Sequence, residues 1–155
     1  MGDVCRYPLL CGFHEIIVGK GFASVVSIDG RAMAESEDGS WWLYGVNPGA
    51  VAGTGVSLDS AVIDFRGRIK GVLADYASEA PDLDAFRAAV DGFFHETDPV
   101  TVAEWDAARA AVRAGSVTLN NVAKVADVPI PTVRVRALKL RPTENVIDDG
   151  LQIAA

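Results

Sequence analysis

Apolar and polar positions alternate with a period near two through the first part of the chain, and that period predicts strands. Phe13-His14-Glu15-Ile16-Ile17-Val18 reads as a strand over 13–18, Gly19-Lys20-Gly21 as a turn, and the β-branched run 22–28 as a second strand. Asp29-Gly30 is a dipeptide that favours positive φ, so a hairpin is expected there, with a third strand over 31–36. Glu37-Asp38-Gly39-Ser40 predicts another turn before the aromatic run Trp41-Trp42-Leu43-Tyr44-Gly45-Val46, which has the character of a central strand. Asn47-Pro48-Gly49 breaks it, since proline cannot continue a ladder and glycine permits the turn. A short strand is expected around 50–54.

The period then lengthens to that of a helix. Leu58, Ala61, Val62, Phe65, Ile69, Val72, Leu73 and Tyr76 recur at three- and four-residue steps and form one apolar stripe. Ser57 stands where an N-cap belongs, and Asp59 suits the positive end of the helix dipole. A second helix is expected over about 82–95, buried through Leu83, Phe86, Val90, Phe93 and Phe94, and ended by Glu96-Thr97-Asp98-Pro99. Thr101 and Glu104 have the spacing of a capping box for a third helix running to about 113, with Trp105, Ala108 and Val112 on one side and Gly115 as its stop. These elements describe an α+β fold: a small antiparallel sheet packed by a long amphipathic helix, with additional C-terminal helices.

The stretch Trp42-Leu43-Tyr44-Gly45-Val46-Asn47-Pro48-Gly49, followed by Gly55-Val56-Ser57-Leu58-Asp59-Ser60-Ala61 and the long helix, resembles the HicB antitoxin family. The resemblance covers roughly residues 14–78. It departs from the family pattern in a longer connection from Pro48-Gly49 to Gly55 and in the extra helices at 82–113. It implies a truncated ribonuclease-H-like fold that binds and does not catalyse. HicB-like proteins cover a small ribonuclease toxin, commonly carry a separate DNA-binding segment that represses their own promoter, and form homo-oligomers.

Charge divides the chain in a way that bears on this. Residues 1–108 hold 7 Lys and Arg against 17 Asp and Glu, whereas residues 109–155 hold 7 against 4. All seven of those later basic residues fall within 109–141, so an acidic body is followed by a basic stretch. The chain is divided into a body over 1–115 and a C-terminal segment over 116–155 that carries most of that stretch. The body suits a small basic protein partner through charge complementarity, and the segment suits a polyanion or an acidic face.

Two readings of that segment stand open. Thr118-Leu119-Asn120-Asn121-Val122-Ala123-Lys124-Val125-Ala126-Asp127-Val128, continuing through Pro129 to Arg134, is similar to the helix-turn-helix at the start of Lac-type repressors. That resemblance would give DNA contacts to Thr132, Arg134, Arg136 and Lys139. Against it, Val133-Arg134-Val135-Arg136 and Leu138-Lys139-Leu140-Arg141 alternate apolar and basic residues in the manner of a strand, and Pro129 and Pro131 favour extended chain before it. The strand reading makes the segment an edge strand or an arm that reaches a neighbouring subunit. In that case the chain serves as a structural or assembly subunit, with the apolar residues Val146, Ile147, Leu151 and Ile153 as its contact.

Candidate chemistry is sparse. The two histidines, His14 and His95, accompany no nucleophile-elbow motif, and neither glycine-rich phosphate pattern occurs, so neither an enzyme nor a cofactor is expected. Cys5, Cys11 and His14 lack zinc-ligand spacing, and Asp29, Glu35 and Asp64 are read as surface carboxylates, not as a metal site. Two cysteines, no secretory leader pattern and no run of about 20 apolar residues point to a cytoplasmic protein with no membrane partner.

Overall fold

The computed structural model describes residues 2–119, 122–125 and 127–139. The architecture is α+β: a curled antiparallel sheet with helices on both of its faces. Strands β1 (Cys5–Val18), β2 (Ala23–Glu37), β3 (Ser40–Asn47) and β4 (Ala52–Gly55) follow one another in sequence and in space. Helices α1 (Leu58–Glu79), α2 (Leu83–His95) and α3 (Pro99–Arg113) come next, and β5 (Thr132–Ala137) returns to pair with β2.

The opening hairpin is longer than the local pattern suggests. β1 extends from Cys5 through Pro8, and β2 is one unbroken strand where a hairpin at Asp29-Gly30 was expected. The correction has a tertiary cause. Gly30 stays out of the positive-φ region used by Gly21 and Gly39, because Asp29 and Gly30 are paired with Gly12 and Cys11. Gly30 is needed for a different reason: a Cβ there would run into the Asn47 carbonyl. The real turns lie at Gly21 and at Asp38-Gly39, where φ is positive at all three residues.

β2 is long enough to take two neighbours on its far side. Glu37 to Arg31 pair with β3, and Asp29 to Ser24 pair with β5. At the end of the β3 stretch the register shifts, since Arg31 pairs with Asn47 and Ala32 with Gly45, leaving Val46 as the extra residue of a bulge. Arg31 then reaches the Asn47 side chain, whose Oδ1 accepts from Nε at 3.0 Å and from Nη2 at 2.7 Å.

Cross-strand partners share a face, so the register sorts the side chains. The first face carries Tyr7, Leu9, Cys11, Phe13, Val26, Ile28, Ala34 and Leu43, and it is covered by α1 and α2. α1 buries Ala61, Phe65, Ile69, Leu73 and Ala77, the predicted stripe extended by one turn. Each large side chain of this kind contributes about 1.5–3 kcal/mol through removal from water. Ser57 caps the helix, accepting from Ser60 N–H. The second face carries Met33, Tyr44 and Val46, and α3 lies on it through Trp105 and Val102. The cap of α3 is Asp98 and not Thr101: Asp98 accepts from Val100 N–H, Thr101 donates to Asp98, and Pro99 takes the first helical position, where a missing N–H costs nothing.

α1 is tied to β4 by a carboxylate. Asp64 Oδ2 accepts from Thr54 N–H at 2.9 Å and from Arg68 Nε at 3.1 Å. The Thr54 amide first, and Arg68 second, hold the Asp64 carboxyl below its ordinary value of 3.8. A lowered folded value means that the stabilisation is complete above pH 3.8 and is lost as the pH falls through the folded value. Asp64→Ala is therefore expected to lower the melting temperature at neutral pH. The gap to the parent should close as thermal scans are taken well below pH 3.8, and a gap that persists there would refute this role.

Candidate binding face

α3 packs on β1, β2 and β3. Toward β5 the second face exposes His14, Asp29, Thr132, Arg134 and Arg136, while Val25 is buried. β5 forms because its residues alternate. Val133 and Val135 turn to the first face and join the core, while Thr132, Arg134 and Arg136 turn the other way and are exposed. The register then lays out three rows across β1, β2 and β5. Gly12, Asp29 and Thr132 form one row, His14, Ser27 and Arg134 the next, and Ile16, Val25 and Arg136 the third. His14 Nδ1 and Ser27 Oγ lie 2.8 Å apart in hydrogen bond. Arg134 and Arg136 stand about 7 Å apart along one strand, two residues of extended chain.

Three of the four residues singled out in the sequence thus share one surface. Lys139 lies past the strand and is exposed. The Leu138 N–H donates to the Ala23 carbonyl at 2.9 Å and carries the ladder one residue beyond Ala137. His14 and Ser27, which complete the face, were not picked out for it. The available signal was their place on the polar side of a period-two pattern, which says nothing about which strand of the chain will come to lie beside them.

The helix-turn-helix expectation is overturned. Among the described residues of 116–131 there is no helix, and Thr132–Ala137 is a strand where a recognition helix would stand. Pro129 and Pro131 favour extended backbone in the residues before them, and pairing with β2 satisfies amides that a short isolated helix would leave to water. The apolar tail residues Val146, Ile147, Leu151 and Ile153 lie outside the described residues.

β5 also borders an open groove of about 360 Å³, lined by Arg87 and Asp91 of α2 and by Val133 to Arg136. Arg87 Nε donates to the Val135 carbonyl at 3.2 Å and Nη1 to Asp84 at 3.1 Å, so the helix holds the strand edge directly.

The other candidates separate in space. Cys11 faces α1 while His14 faces the opposite side of the sheet, so the two do not converge. Burial pushes the Cys11 thiol up to about 11, with Arg66 opposing it weakly. Asp64 lies on the α1 side. Glu35, on the other face, pairs with Arg6 at 3.0 Å and, after burial itself, is the main cause that raises the Tyr44 phenol. Among the described residues no three His, Cys, Asp or Glu side chains are grouped to hold a metal ion, and no helix is long and apolar enough to cross a membrane. Compared with protein-family models, with curated proteins and with solved structures, the chain matches none.

Proposed function

We propose that this chain is a non-catalytic binding protein of the HicB-like kind. Its acidic body receives a small basic protein, a ribonuclease toxin by the resemblance, and the β5 face holds operator DNA. The observation that carries the DNA part is the exposed line of Thr132, Arg134 and Arg136 along β5, beside His14. Arginines on alternate residues of a strand point in one direction, as strand-based readers of a DNA groove require. Their guanidinium groups suit phosphate oxygens through paired N–H donors. The body offers the opposite charge, with 17 acidic against 7 basic residues over 1–108, which favours encounter with a basic partner.

The test is fluorescence anisotropy with a duplex taken from upstream of the chain's own coding sequence, across a salt series. Binding is expected to weaken linearly in log–log form as salt rises. Arg134→Ala and Arg136→Ala are each expected to weaken binding and to reduce the salt slope by about one where the lost contact is to phosphate. Salt-insensitive binding, or binding left intact in the double variant, would remove β5 as the contact surface.

A further inference from the structure

The sheet has three strand edges that pair with no other strand among the described residues: β4, β5 and β1. Exposed edges invite pairing with other chains, and proteins blunt them by shortness, charge, proline or bulges. β4 is blunted, being four residues long, with the Thr54 N–H taken by Asp64. β5 is blunted by Arg87 on its Val135 carbonyl and by its own arginines. β1 is protected only in its first half, by Arg6 and Pro8.

From Leu9 to Val18 the β1 edge has no lysine, arginine or proline, and all fourteen residues of β1 pair with β2 without a register shift. The hydrogen-bonding phase identifies which backbone groups face outward. The Ala23 carbonyl accepts from Leu138 and the Gly45 N–H donates to Val51, so even-numbered residues of β2 bond to β1. Their partners are the odd residues of β1. The even residues Leu10, Gly12, His14, Ile16 and Val18 therefore turn their N–H and C=O groups away from the sheet. Pro8 falls in the same set, the one place in a strand where a missing N–H is harmless. Two side chains of that set are exposed apolar groups, Leu10 at 39% and Val18 at 69%.

We infer that the β1 edge over Leu10–Val18 pairs with the same edge of a second copy of this chain, antiparallel across a two-fold axis at His14. The segment is complementary to itself. That alignment sets Leu10 opposite the partner copy's Val18 and Gly12 opposite its Ile16, and it makes about ten main-chain hydrogen bonds. Its only acid, Glu15, already has Lys70 at 3.7 Å within its own chain, so no uncompensated like charges meet. The β5 edge offers no such match, because a second copy there would set arginine against arginine. The inference is independent of the nucleic-acid reading.

Light scattering coupled to gel filtration on the full chain at about 50 µM, a concentration at which mass action favours a specific dimer, tests it. A mass near twice 16.4 kDa is expected. Gly12→Pro removes an amide that only the second copy uses, at a position where an added Cβ meets nothing within 4 Å. Leu10→Lys/Val18→Lys puts charge on the edge without touching the ladder to β2. Both variants are expected to run as monomers with the parent's circular dichroism, and the double-lysine variant decides the matter if the proline variant fails to fold. A monomeric parent overturns the inference and leaves the edge to a strand of another protein. A dimer that survives Leu10→Lys/Val18→Lys overturns it as well.

Discussion

Trp105→Ala is expected to destabilise the protein by about 3–5 kcal/mol, the range for truncating a buried aromatic ring. Trp105 is 2% exposed and is the anchor of α3 on the second face, where Met33 and Val46 form its floor. Its indole N–H donates to the Leu9 carbonyl at 3.3 Å, and the Arg31 guanidinium lies 4.9 Å from the ring centroid. Arg31 is itself held by Asn47, so the ring, the arginine and the bulge at Val46 form one connected unit. Removing the ring takes away packing, a hydrogen bond and a cation–π contact together. Urea denaturation measures the loss, and amide exchange locates it: α3 should lose protection before α1 does, because α1 lies on the other side of the sheet. Trp105→Phe should recover the larger part, since it keeps the apolar ring and gives up the N–H. A cost below about 1 kcal/mol for the alanine variant would mean that α3 is not held through this residue.

Phe65→Ala carries a comparable expected cost, about 3–5 kcal/mol, for the opposite face. Phe65 is 1% exposed in the middle of the α1 stripe, and α1 comes down on β4 at this point. The approach is close because β4 provides glycine there. A Cβ on Gly53 would sit 2.6 Å from the Phe65 nitrogen, and one on Gly55 would sit 2.6 Å from the Ala61 nitrogen. Backbone this close cannot slide inward to refill the space left by a deleted phenyl ring, so the cavity term of the substitution should be near its full value. Chemical denaturation reads the midpoint shift. Phe65→Leu should cost much less because it retains most of the volume. Equal costs for the leucine and alanine variants would show that the site collapses and that the cavity argument is wrong.

Local pattern determined much of this chain. The α1 stripe, the Ser57 cap, the buried side of α2, the turn at Asp38-Gly39 and the stop at Gly115 all depend on contacts within a few residues, and all appear where periodicity and capping place them. The α+β class follows from the same signals, because strand and helix periods each occupy separate blocks. Half of the candidate face was legible in the same way: the alternation Val133-Arg134-Val135-Arg136 turns basic side chains to one side of any strand it forms.

Tertiary structure decided the rest, wherever two local readings had similar energies. Asp29-Gly30 has the chemistry of a hairpin turn, but β1 and β5 flank it and an extended backbone satisfies its amides on both sides. The α3 cap is the exception, a local matter: Pro99 in the first helical position makes Asp98, and not Thr101, the capping residue. The segment after Gly115 had a helical and an extended reading, and a vacant length of β2 beyond the Val46 bulge selected the extended one. That same pairing brought Arg134 beside Ser27 and His14, residues more than a hundred positions earlier. A period states which way a side chain points relative to its neighbours in sequence. Which strand lies alongside depends on hydrogen-bond partners that close only when distant parts of the chain meet, and no local pattern contains them.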